Sequence, residues 1–236
     1  MAKVLIEICV DDAAGLAEAV AGGADRIELC AALALGGLTP STGLMQAAAG
    51  CTLPVYAMIR PRTGGFVFSD AEVAVMMADI DAVRAAGLAG VVLGASLPDG
   101  RLDRSVLAQL VGRAAGLGLT LHRAFDLVPD MTEAINLAVD LGFERILTSG
   151  QALTAPAGVA GLARAFGIAA GRIGLLPGSG INAATIHHLR YLPLTEVHSS
   201  CSEPATADPR ALEFGFAHPS QRVTLALHIR ALRAAL

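Results

Sequence analysis

The sequence predicts an α/β protein: a single (β/α)8 TIM barrel with an irregular C-terminal extension that ends in a helix. Three observations carry this expectation. The chain has 236 residues, 54% of them apolar and 16% charged, which suits one large core of the size this architecture fills as a unit. Eight short β-rich runs alternate with longer Ala-, Leu- and Val-rich runs, at roughly 25–30 residues per strand–helix pair. Glycines precede several strands, at Gly22-Gly23-Ala24, Ala86-Gly87, Leu141-Gly142 and Gly171, where left-handed helix ends are expected. An open doubly wound sheet is the rival, but eight evenly spaced units favour closure.

The expected strands are residues 4–9, 26–29, 54–60, 90–93, 120–122, 145–148, 172–176 and 196–199. The expected helices are residues 13–21, 43–49, 70–86, 103–115, 131–141, 158–166 and 182–189. No linker or low-complexity segment divides the chain, so it reads as one domain, with the barrel at about residues 4–200 and the extension at 201–236. Pro204, Pro209 and Pro219 break the extension before a closing helix at 224–236.

Charge excludes several function classes. Lys and Arg total 17 against 21 Asp and Glu, for a net charge of −4, so neither nucleic acid nor an anionic membrane is an expected partner. Lys3 is the sole lysine, and it lies before the first strand. Schiff-base chemistry and a pyridoxal cofactor need a buried lysine, and a Walker-type phosphate loop needs one too, so neither PLP nor a nucleotide cofactor is expected. The start, with Glu7, Asp11 and Asp12 interrupting its apolar run, does not read as a signal peptide. The uncharged stretch 29–59 is broken by Gly36-Gly37, Pro40, Gly50 and Pro54, so it does not read as a membrane span. Cys9, Cys30, Cys51 and Cys201 match neither a zinc ribbon nor a disulfide framework, which points to a reduced, cytoplasmic setting.

Strand residues alternate between lumen and helical shell, and the shell face must be apolar. With Ile6, Ile8, Ile27, Leu29, Ala57, Ile59 and Leu121 facing the helices, Glu7, Cys9, Glu28, Cys30, Met58, Arg60 and His122 fall in the lumen. The sixth and eighth strands are expected to add Thr148 and His198. Arg62, Arg123 and Asp126 follow strands at the same end. This is the C-terminal face, where barrels build their sites. The same residues can also serve as a structural ion network of Glu7, Glu28 and Arg60, because buried charges must pair.

Nine strings, in order over about residues 4–200, resemble the CutC copper-homeostasis family. They are Glu7-Ile8-Cys9-Val10, Gly22-Gly23-Ala24-Asp25-Arg26-Ile27-Glu28-Leu29-Cys30, Gly36-Gly37-Leu38-Thr39-Pro40-Ser41 and Met58-Ile59-Arg60-Pro61-Arg62. Pro98-Asp99-Gly100, His122-Arg123-Ala124-Phe125-Asp126, Ile146-Leu147-Thr148-Ser149-Gly150, Pro177-Gly178-Ser179-Gly180-Ile181 and Glu196-Val197-His198 complete them. The family pattern commonly has three glycines where this chain has Gly178-Ser179-Gly180, and the tail after Cys201 matches less well. The resemblance implies a cytoplasmic single-domain TIM barrel that forms a homodimer or larger assembly.

It also implies copper handling. The expected metal ligands are Cys9 and Cys30, since two thiolates on strands roughly 4.8 Å apart can hold a soft Cu(I) ion, with Met58 as a further thioether. The alternative is an isomerase or lyase acting on a small anionic or sugar-like substrate. There Glu7, Glu28, His122, Asp126 and His198 are the candidate catalytic residues, or the ligands of a divalent metal. Arg60, Arg62, Arg123, Thr148, Ser149, Gly178 and Gly180 are the candidate substrate-binding residues, with the two Gly/Ser loops placed where barrels often cradle phosphate.

Overall fold

The computed structural model describes residues 3–236. Its barrel strands are β1 (Leu5–Val10), β2 (Arg26–Leu29), β3 (Val55–Met58), β4 (Gly90–Leu93), β5 (Gly118–Leu121), β6 (Arg145–Thr148), β7 (Gly174–Pro177) and β8 (Glu196–Ser199). They form one parallel sheet in the order β7-β6-β5-β4-β3-β2-β1-β8. The two ends of that order meet through side chains: the Cα of Gly174 faces Glu196, and that of Gly178 faces His198. The result is the expected (β/α)8 barrel.

The helices are α1 (Ala13–Gly22), α2 (Thr42–Ala49), α3 (Asp70–Ala86), α4 (Arg104–Arg113), α5 (Met131–Asp140) and α6 (Val159–Ala169). Their starts are written in the sequence. Asp12 accepts a 2.6 Å bond from the Gly15 N–H, and Ser69 and Glu72 form a reciprocal capping box on α3. The glycines expected to end helices, Gly23, Gly87, Gly142 and Gly171, all have φ near +80°.

The expected helix at 182–189 is a correction. Only a single tight turn, Ile186–Leu189, is helical there. The Asn182 side chain accepts from Ala184 N–H at 2.9 Å, and the Thr185 hydroxyl donates to Gly180 O at 2.7 Å. Those local bonds compete with a helical ladder, and Pro193 limits what can follow.

Packing follows strand parity. Ile6, Ile8, Ile27, Leu29, Ala57, Ile59, Val91, Leu93, Leu121, Ile146 and Val197 join one large apolar core with the helices. Cys30, Tyr56, Met58 and Val92 form a separate small cluster inside the barrel.

The extension holds a hairpin of β9 (Ser202–Pro204) and β10 (Arg222–Thr224), a short helix α7 (Pro209–Glu213), and α8 (Ala226–Ala235). Helix α8 occupies the place of an eighth barrel helix against α1, with Ile229 and Leu232 buried and Ile229 lying over Gly22. Arg233 ties it down by donating to Val4 O at 2.8 Å and Gly23 O at 2.9 Å. Among the described residues, no helix is long and apolar enough to cross a membrane.

Candidate functional site

The lower lumen is an ion-pair layer. Alternation along β2 and β8 carries Arg26 and Glu196 inward with Glu28 and His198. Arg26 donates from Nε to Glu7 and from Nη2 to Glu196 Oε2 at 2.5 Å. Arg145 lies 3.5 Å from Glu196 and donates to Thr120 Oγ1 at 3.0 Å. The Tyr56 ring sits under both guanidiniums, 5.6 Å from Arg26 and 4.9 Å from Arg145, and its hydroxyl bonds Glu144 at 3.0 Å. Gly90 and Gly118 leave room for that ring, since a methyl at either would overlap it. The expected network of Glu7, Glu28 and Arg60 is therefore corrected: Glu7 pairs with Arg26, and Arg60 pairs with no carboxylate among the described residues.

Above this layer sits a cluster of Cys9, Glu28 and His198, all buried, with one ligand atom from each within 4.8 Å of the others. His198 Nδ1 lies 2.8 Å from Glu7 Oε1, so Nε2 faces Glu28, 3.8 Å away. Burial alone would raise the pKa of Glu7, but the bonds and charges of His198 and Arg26 hold it at about 2. Burial opposes charge on His198, yet Cys9, Glu28 and Glu7 around it raise its pKa well above that of free imidazole. Burial, with the Glu7 charge beside it, raises that of Glu28. Its Oε1 has no hydrogen-bond partner.

The expected Cys9–Cys30 pairing of equivalent positions is also corrected. In the β1–β2 register Cys9 stands opposite Glu28, so Cys30 lies two residues further on, just past the end of β2. The stagger of a tilted barrel sets this offset. The Cys30 thiol is fully buried, 3.5 Å from Glu28 Oε2. Burial and the neighbouring Glu28 and Cys9 raise its pKa well above that of a free thiol. All four cysteines are free.

A cavity of about 790 Å³ opens above the cluster at the C-terminal mouth. Cys9, Glu28, Arg60, His122, Arg123, Gly180 and His198 line it, so seven of the expected site residues come together there. Arg60 is 6% exposed; it donates to Leu35 O at 3.2 Å, Gly37 O at 3.0 Å and Gly64 O at 2.9 Å. Burial, with the Arg60 charge nearby, pushes the His122 pKa down to about 3.

Seven other expected site residues are set back from the cavity. Glu7 and Cys30 lie beneath it. Arg62 turns outward to pair with Glu72 and donates to Val67 O at 2.7 Å, which holds the loop before α3. Asp126 is saturated by Arg123, Thr148, Ser149 and Gln151, and so ties the turn after β5 to the turn after β6. Thr148 is a correction in parity. Leu147 faces the cavity instead, and the Thr148 hydroxyl points back to Asp126 Oδ1 at 2.6 Å. Gly178 packs against Leu147 and His198, where a methyl would overlap Leu147 Cδ1 and crowd the imidazole.

Sequence reasoning missed several residues. Arg26 and Glu196 share the parity of Glu28 and His198, and that alternation alone would have found them. Phe66, Cys201, Arg222 and His228 line the cavity from a loop and the extension, outside the barrel strands whose alternation marks the lumen.

The CutC family model matches residues 4–203. A CutC family protein of Rhizobium meliloti (strain 1021) is 63% identical over 239 residues, covering 100% of this chain and 97% of the relative. One of Agrobacterium fabrum is 53% identical, covering 98% and 94%. Among solved structures, a candidate copper homeostasis protein CutC from Streptococcus agalactiae aligns with a TM-score of 0.79 at 30% identity, covering 84% of this chain and 98% of that one. A thiamine phosphate pyrophosphorylase from Pyrococcus furiosus aligns with a TM-score of 0.60 at 15% identity, covering 99% and 95%; it shares the fold alone.

Proposed function

The chain belongs to the CutC family, and from that premise we propose that it is a copper-homeostasis protein that holds Cu(I) on Cys9 and His198 at the floor of the barrel mouth. One observation carries this reading: Cys9, Glu28 and His198 converge, buried, with donor atoms within 4.8 Å of one another. The Cys9 thiolate suits a soft monovalent ion and imidazole is a copper ligand as well, so this pair can serve where the register sets Cys9 opposite Glu28 and not Cys30. Glu7 on Nδ1 leaves Nε2 of His198 to act as the ligand, the usual carboxylate–histidine support of a metal site. Glu28 supplies nearby negative charge, and Cys30 is a reserve thiol behind it. The cytoplasmic, reducing setting expected from the cysteines fits the same ion, and so does assembly into a homodimer or larger oligomer.

Anaerobic titration against a chromogenic Cu(I) chelator tests the site. Cys9→Ser and His198→Ala should each weaken Cu(I) binding by at least about tenfold, and Cys30→Ser by less. Cu(I) affinity unchanged in both Cys9→Ser and His198→Ala would remove the proposal.

A further inference from the structure

Two buried donors in the upper cavity serve no partner. Arg60 Nε and His122 Nε2 both lack a hydrogen-bond partner, although their side chains line the cavity. His122 is 3% exposed. Its Nδ1 accepts the Ala124 N–H at 3.2 Å, so that nitrogen carries a lone pair and the ring proton sits on Nε2. The free atom is therefore a donor. Arg60 Nε is a donor by its chemistry.

Both groups are held in place. Three backbone carbonyls fix the two Nη atoms of Arg60, which leaves one Nη2 hydrogen and the Nε–H unengaged, with Nε the nitrogen that has no partner at all. The Phe66 ring packs against both residues, 5.2 Å under the Arg60 guanidinium and 4.7 Å from the His122 ring. Gly94 makes the His122 position possible, because a methyl there would overlap the imidazole. An Arg whose partners are only neutral carbonyls is an uncompensated buried cation, and such a group costs several kcal/mol until an anion meets it. Two unpartnered donors on side chains that line one cavity, one of them cationic, match the oxygens of a carboxylate or phosphate. The rest of the wall mixes apolar Leu33, Met58 and Leu147 with Asn182, Ser200 and Ser202, which suits a short carbon skeleton bearing hydroxyls.

We propose that Arg60 Nε and His122 Nε2 form a binding site for the oxyanion group of a small hydroxylated metabolite. This site does not rest on the copper reading: its donors lie on β3's and β5's C-terminal ends, and the copper ligands on β1 and β8.

Isothermal titration of the metal-free full chain with D-glycerate, D-ribose 5-phosphate and erythritol tests it. The first two separate a carboxylate from a phosphate, and the third is a neutral control. At least one anion should bind with a Kd of about 1 mM or tighter, and erythritol should not. Arg60→Met and His122→Phe should each weaken that binding by about tenfold or more. If Arg60→Met does not fold, His122→Phe decides, since it keeps the ring volume beside Gly94. Failure of both anions to bind, equal binding of erythritol, or full affinity in His122→Phe overturns the proposal. Anion binding with no Cu(I) binding would overturn the copper reading alone.

Discussion

His198 Nδ1 lies 2.8 Å from Glu7 Oε1, and that bond decides which ring nitrogen meets the cavity. Glu7 is anchored in turn by Arg26, which also holds Glu196. A four-residue chain thus runs from the barrel floor to the cluster with Cys9 and Glu28, and orientation at the top depends on charge at the bottom.

Glu7→Gln keeps an oxygen near His198 but removes the charge that Arg26 and His198 share. Breaking one partner of a buried pair leaves the other charge exposed to a low dielectric, so urea denaturation should show a loss of about 3 kcal/mol. Cu(I) affinity should fall by about tenfold, the usual scale for losing the partner that orients a ligating histidine. A folded variant with parental affinity would count against that orienting role.

Acid should destabilise the protein through two groups. His122 is held at about 3 by burial, below its ordinary 6.5. Glu7 is held at about 2, below its ordinary 4.5, because His198 and Arg26 outweigh its burial. In both cases the unfolded chain takes up the proton first, so stability falls with pH, from 6.5 towards 3 for His122 and from 4.5 towards 2 for Glu7. The raised His198 pKa acts in the opposite sense: its contribution is present at low pH and is lost as pH rises through the folded value. Urea melts at about pH 7, 5 and 4 should therefore show a parent curve that declines towards acid, and a shallower decline in His122→Phe. A slope unchanged by that substitution would mean the ring protonates freely in the fold.

Gly118 and Gly90 are required by the Tyr56 ring in the lumen. Gly118→Ala should cost about 1–3 kcal/mol through overpacking, and Tyr56→Leu in the same chain should recover part of it. Thermal unfolding of the two single variants and the double variant measures the coupling. Simple additivity would show that the ring moves aside at no cost.

Ser179 has φ +74°, in the left-handed region, where the family pattern commonly has glycine. Its hydroxyl donates to Leu153 O at 2.9 Å, which offsets part of the strain. Ser179→Gly should leave stability within about 1 kcal/mol of the parent, since relief of strain, loss of that bond and a freer unfolded chain roughly cancel. Ser179→Val should lose at least about 1 kcal/mol, because a β-branched residue is poorly accommodated there. Denaturant midpoints for the pair separate these outcomes.

Local pattern made much of this molecule legible in advance. Four strands, 26–29, 90–93, 145–148 and 196–199, and the helix 70–86 have the expected bounds, because apolar runs, caps and glycine stops are local chemistry. Parity placed Glu7, Cys9, Glu28, Cys30, Arg60, His122 and His198 in the lumen for the same reason. It failed at Thr148, where Leu147 and Thr148 follow Ile146 and apolarity alone does not mark the shell face.

Other features were decided only in three dimensions. Which strand residues stand side by side depends on barrel stagger, so Cys9 meets Glu28 rather than Cys30. Which charges pair depends on the register of neighbouring strands. Glu7 stands opposite Arg26 on β2 and His198 on β8 and takes both, and Arg60 is left with backbone carbonyls. The cavity wall draws on Phe66 from a loop and on Cys201, Arg222 and His228 from the extension, none of which the alternation of the barrel strands could mark. The sequence by itself determined the barrel and the side chains that face into it, since burial and alternation act between near neighbours. The tertiary structure decided partners, tautomer and cavity, since those depend on distances between strands far apart in the chain.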